Sequence, residues 1–224
     1  MNRSIIGRLI VKDWRLNRLL VSLTAAAGVV ALALAQYGGQ TARLLGGVWF
    51  FVALCVLGSM LPTTAILNEQ KKQTLPFIMS LPVSPVQYTL AKIVAVWALF
   101  LTPWLALLIS AVILVETGHT ASPGVIPTLL ILAVLPLIGF CVMSSTALIG
   151  ESEGWLVAAT VAINSSYWLG WYLLTRVPSI AGNWSNPAPV WNPAAVLVLS
   201  AELGVIGLIV GVTLVVQSRK REFI

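Results

Sequence analysis

Hydrophobic residues run along this chain in six stretches of membrane length, near 19–37, 44–67, 86–115, 125–149, 155–174 and 195–216, separated by polar or Gly/Pro-bearing breaks. Backbone amides and carbonyls cannot go unpaired in hydrocarbon, so each stretch reads as a transmembrane helix. The third, 86–115, would measure roughly 45 Å as one helix, longer than a hydrocarbon core, so it must tilt, bend or protrude. Pro103 and Pro136 supply bends inside the third and fourth spans, while Pro85 suits a first turn, where a missing N–H costs nothing. No internal repeat is evident, which weighs against carriers built from inverted repeats.

Ahead of the first span, residues 3–18 form a helix that sets Arg8, Lys12 and Arg15 on one side and Ile6, Leu9 and Ile10 roughly opposite, with Asp13 interrupting the apolar arc. Two readings fit: an amphipathic helix lying in the inner interface, or a plain basic anchor that sets topology. The expected fold is therefore an all-α integral membrane protein with an N-terminal interfacial helix (1–18), six transmembrane helices (19–216) and a basic cytoplasmic tail (217–224).

Composition agrees with the bilayer as solvent: of 224 residues 58% are apolar and 9% charged, against about 25% charged in soluble domains. The net charge of +6 is distributed unevenly. Arg3, Arg8, Lys12, Arg15, Arg18, Lys71, Lys72, Lys92, Arg219, Lys220 and Arg221 fall on the side of the termini, and Arg43 and Arg176 on the other, so the termini are expected in the cytoplasm. Scattered through short loops and tails, this charge is no nucleic-acid footprint. Cys55 and Cys141 lie inside spans and behave as small apolar residues. His119 is a lone imidazole, so neither a zinc site nor a catalytic triad is expected.

The polar stretch 68–85 between the second and third spans has more in it than a topological loop needs. Glu69, Lys71 and Lys72 are polar contacts, and Thr74-Leu75 opens a short helix. The adjacent Phe77, Ile78 and Met79 form an apolar cluster of the kind that marks an interaction site. With Met79-Ser80-Leu81-Pro82-Val83-Ser84 and Lys92 at the opening of the next span, this segment resembles the first cytoplasmic loop of ABC-2 type ATP-binding cassette transporter permeases. Gln73 stands where that family usually has Gly, and Pro76 falls inside the expected helix. The resemblance implies a coupling helix between helices 2 and 3 that docks on a separate ATPase subunit. It also implies a Lys-Asp pair in an N-terminal interfacial helix, matched by Lys12-Asp13. Further implied are a second ATPase contact at the turn carrying Glu151 and Glu153, and short re-entrant helices near the exit of the path, matched in position by 175–194. Read from the residues alone, those two glutamates equally complement a helix dipole. The prolines and tryptophans of 175–194 equally describe an ordinary outer loop with interfacial anchors.

Inside the spans Glu202 is the one clear ionisable residue, and it should face protein or water rather than lipid. It would line or gate the outer part of a substrate path, paired with Arg176, or make a structural hydrogen bond. Asn164, Ser165, Ser166 and Tyr167 form a polar stretch in the fifth span, either interhelical glue or path lining. Gly204, Gly207 and Gly211 permit close packing of the sixth.

No Gly-x-x-x-x-Gly-Lys-Ser/Thr loop occurs, so the chain carries no nucleotide cofactor by that route. What the resemblance implies is the permease subunit of an exporter, not itself an enzyme. ATP and Mg would sit on a partner ATPase, and a second copy or a similar permease would complete the path. Its place would be the inner or plasma membrane of a prokaryotic cell. The rivals are a membrane scaffold or sensor coupled to an ATPase, and an ion-coupled carrier using Glu202.

Overall fold

The structure is a computed structural model and describes residues 3–67, 85–117, 121–149 and 153–219. Its long helices are α1 (Arg3–Tyr37), α2 (Gln40–Pro62, continued by a π-helical turn Thr63–Leu67), α3 (Pro85–Glu116), α4 (Ile126–Ile149) and α5 (Glu153–Arg176). A single turn, α6 (Pro178–Ala181), then precedes α7 (Pro193–Arg219). Among the described residues no strand is present. Five helices are long and apolar enough to cross a membrane: α1 from Val11, α2, α3 from Lys92, α4 and α7. The fifth expected span, 155–174, corresponds to α5, which has the length but is diluted by Asn164, Ser165, Ser166 and a group of aromatic rings.

The boundary expected at residue 18 is not a break in the backbone. No Gly or Pro lies between Gly7 and Gly28, so the helix that begins at Arg3 runs on to Tyr37. Polarity changes along it while the backbone does not. One face of α1 is buried along its length, carrying Asp13, Asn17, Val21, Thr24 and Ala31.

Contacts fix the direction of each helix. The α1–α2 pair is an antiparallel hairpin that turns at Gly38-Gly39, bringing Ala31 opposite Gly46 and Asn17 opposite Thr64. The backbones approach so closely that a Cβ on Gly46 would stand 2.6 Å from the Ala31 carbonyl oxygen. Helix α3 runs parallel to α1, with Leu107 against Gly28 and Lys92 against Asp13. Stacked Phe100 and Phe140 rings, 4.3 Å between centroids, join α3 to α4. The buried Trp104 indole donates to the Ala133 carbonyl at 3.0 Å.

Helix α5 returns antiparallel along α4, with Thr160 at Met143, Tyr167 at Gly139 and Gly170 at Leu135. Gly139 is required there, because any Cβ would overlap the Tyr167 hydroxyl. Helix α7 then runs parallel to α4: Ala195 clusters with Ile131, and the Thr213 hydroxyl meets that of Ser145 at 2.7 Å. The long helices therefore alternate in direction. The N-terminal end of α1, the close of α2, the start of α3, the close of α4 and the start of α5 all lie at one end of the bundle.

At the opposite end residues 177–192 fold onto the bundle. Trp184 donates its indole N–H to Thr128 at 2.8 Å, and Gly124 N–H donates to the Asn186 carbonyl at 3.0 Å. Ile180 is buried, and Asn192 caps α7 by accepting from the Ala195 N–H at 2.7 Å.

Candidate functional site

At the end of the bundle that carries the N-terminus of α1, three helices meet through charged and polar side chains. Lys92 Nζ lies 2.8 Å from both Asp13 carboxylate oxygens, with the two side chains only 5% and 2% exposed. One turn along α1, Asn17 donates from Nδ2 to the Asp13 carbonyl at 3.0 Å, and its Oδ1 accepts from the Thr64 hydroxyl at 2.7 Å. Thr64 sits in the π-helical turn that closes α2, and Lys92 in the opening turns of α3. The two flanks of 68–84 are thus both fastened to one turn of α1, residues 13–17.

Helical spacing explains why α1 can do this. Asp13 and Asn17 are four apart, on one face, and continue the stripe of Val21, Thr24 and Ala31 that packs on α2 and α3. The face of α1 that carries Asp13 is the one that meets Lys92. Arg15 is exposed and Lys12 half-buried, whereas Asp13 points into the bundle. Arg8 lies in α1, its side chain outside the described set. Bringing a carboxylate and an ammonium out of water is costly, and a close, paired geometry is what offsets that cost.

The coupling residues Glu69, Lys71, Lys72, Thr74, Leu75, Phe77, Ile78 and Met79, together with Glu151, lie outside the described residues. Glu153 opens α5.

The four candidate path residues are not brought together. Tyr167 is buried against Gly139 with its ring edge-on to Phe51 of α2 at 5.6 Å. Asn164 and Ser165 point away from the bundle on the exposed side of α5. Glu202 is 9% exposed and lies on the stripe of α7 that faces α4, with Ala195, Ile206, Ile209 and Thr213. Its Oε2 is buried and has no hydrogen-bond partner among the described residues. Arg176 makes no ion pair with it; the guanidinium instead stands 5.0 Å from the Tyr172 ring centroid. Gly204, Gly207 and Gly211 face open space rather than a neighbouring helix.

Asn17 and Thr64 escaped the sequence reading. The signal was the i, i+4 relation of Asn17 to Asp13, which puts a second polar side chain on the buried face. Compared with protein-family models, with curated proteins and with solved structures, the chain matches none.

Proposed function

We propose that this chain is the membrane subunit of an ABC-2 type exporter, moving its cargo outward with ATP hydrolysed on a separate ATPase subunit. The observation that carries the reading is the fastening of both flanks of 68–84 to α1, through Lys92–Asp13 and Thr64–Asn17. A segment held at both ends to rigid rods transmits displacement, whereas a loop tethered loosely absorbs it. In this reading closure of the ATPase pair moves 68–84, and α1, α2 and α3 follow as one body against α4, α5 and α7.

Six crossings follow in this reading, because α5 lies antiparallel along α4 from Met143 to Leu135 and must cross wherever α4 does. Arg15, Arg18, Lys92 and Arg219 belong to the end of the bundle that bears 68–84, while Arg43 and Arg176 belong to the other. That asymmetry supports a cytoplasmic position for the fastened end. An apolar interior with few charges favours an amphipathic or hydrophobic cargo.

The test is affinity capture of the tagged chain from native membranes. An ATP-binding cassette ATPase that co-purifies, and that cross-links to Lys71→Cys, supports the proposal. Capture without any such ATPase, or protease mapping that puts 68–84 outside the cell, overturns it. ATP hydrolysis in the captured complex that candidate cargo fails to stimulate would favour the scaffold reading.

A further inference from the structure

Charge ends abruptly along α1, and the rise of the helix says at what depth. No charged residue lies between Arg18 and Tyr37, and at about 1.5 Å per residue that stretch spans roughly 28 Å, the thickness of a hydrocarbon core. With Tyr37, 85% exposed, at one boundary, Arg18 stands at the other, at the depth of the lipid phosphates.

Three side chains share one patch of the outward face at that depth. Trp14 stands four residues and Arg15 three residues before Arg18, the spacings that make neighbours on a helix surface. All three are exposed, away from the stripe of α1 that packs on α2 and α3. Among the described residues none of them makes an ion pair, a hydrogen bond or a ring contact. The acid of this stretch does not neutralise them, because Asp13 is turned into the bundle and closed by Lys92. What is left is a patch that only donates: two guanidinium forks and an indole N–H. The exposed arginines of the opposite end differ, since Arg43 has no second arginine beside it in α2 and Arg176 lies over the Tyr172 ring. Towards the bilayer centre the face continues as Leu19, Leu23 and Val30, exposed by 68%, 61% and 58%.

We infer that Trp14, Arg15 and Arg18 hold the phosphodiester of an anionic phospholipid, whose acyl chains lie along Leu19, Leu23 and Val30. Charge selects this occupant. Two guanidinium groups one turn apart can grip one phosphate through paired N–H bonds, and the indole supplies a further donor at headgroup level. A zwitterionic headgroup brings its own ammonium, which the two guanidinium groups repel. Topology alone asks for basic residues on one side and for no particular arrangement of them; a site asks for this convergence. The patch backs the turn 13–17 that fastens both flanks of 68–84, so the bound lipid holds that turn at the level of the phosphates. The inference rests on the crossing of the membrane by α1 and is independent of the ATPase.

The experiment takes the full chain in neutral detergent, stripped of lipid and titrated with dioleoyl phosphatidylglycerol or dioleoyl phosphatidylcholine, with retained lipid counted by mass spectrometry of the intact protein. Saturable retention of phosphatidylglycerol is expected, with phosphatidylcholine held more weakly. Arg15→Gln and Arg18→Gln should each weaken phosphatidylglycerol binding about fivefold and the double variant about thirtyfold, the scale of one headgroup-level attraction per arginine. Arg43→Gln should leave it unchanged. Arg15→Lys with Arg18→Lys, which keeps the charge and loses the forks, should fall between the parent and the double glutamine variant, and serves as the folded comparison. Equal retention of the two lipids overturns the inference. So does a double glutamine variant that binds phosphatidylglycerol as the parent does, or a loss through Arg43→Gln of the same size. A double glutamine variant that keeps the lipid and loses a captured ATPase would assign the patch to the protein partner instead. Selective lipid binding with no ATPase captured would leave this site standing and remove the exporter reading.

Discussion

Lys92 and Asp13, 79 residues apart in the chain, meet as a buried pair in which one ammonium serves both carboxylate oxygens at 2.8 Å. Removing one partner takes the nearest opposite charge away from a buried ion. Asp13→Asn and Lys92→Met should each destabilise the protein in detergent by about 3–5 kcal/mol. The double replacement Asp13→Lys with Lys92→Asp should regain part of that loss. Thermal melting followed by size-exclusion recovery reads both, and an Asp13→Asn protein as stable as the parent would show that the pair does not hold the helices together.

Gly46 and Gly47 are neighbours with opposite surroundings. A Cβ at Gly46 would press on the α1 backbone, 2.6 Å from Ala31 O and 2.7 Å from Ala35 N, while at Gly47 it would meet nothing within 4 Å. Gly46→Ala should destabilise by about 1–3 kcal/mol, the usual scale of overpacking. Gly47→Ala should be neutral or gain up to about 1 kcal/mol of helix propensity. Equal melting temperatures for the two variants would contradict the packing of α1 on α2.

Asn192 closes the 177–192 cap by holding the first turn of α7 and, through Nδ2, the Ser179 carbonyl. Asn192→Ala should cost about 1 kcal/mol and Asn192→Asp less, since Asp retains the cap. Limited proteolysis at the 177–192 segment is the readout: faster cleavage is expected for Asn192→Ala, and cleavage rates indistinguishable from the parent would count against the cap.

Glu202 has a buried Oε2 with no hydrogen-bond partner among the described residues, so its polarity is a cost to the fold. Glu202→Leu should stabilise the protein by about 1–3 kcal/mol. If the carboxyl lines the path, cargo-stimulated ATP hydrolysis of the captured complex falls even as stability rises. Stability and hydrolysis both unchanged in Glu202→Gln and Glu202→Leu would remove the residue from either role.

What could be read in advance divides along physical lines. Helical class and the extents of α2, α3, α4 and α7 followed from runs of apolar residues, since hydrocarbon leaves the backbone little choice. Helix α1 continues past residue 18, where polarity changes, because hydropathy tracks solvent while helix continuity tracks backbone, and nothing between Gly7 and Gly28 interrupts it. Asp13 was seen to lie in the apolar arc, yet periodicity tells which face a residue occupies and not what stands opposite. Its partner came from another helix and could be found only once α3 was laid beside α1. For the same reason Glu202 and Asn164, both polar and both in spans, could not be told apart by sequence: one faces α4 and the other faces away.

The tight Gly38-Gly39 turn and the lateness of Lys92 together set an order of events during biosynthesis. The first two helices are made before the third, so the Asp13 carboxylate is in the chain well before the Lys92 ammonium that it meets in the finished fold. The contact that ties α1 to α3 through these two side chains therefore closes only after residue 92 has been synthesised.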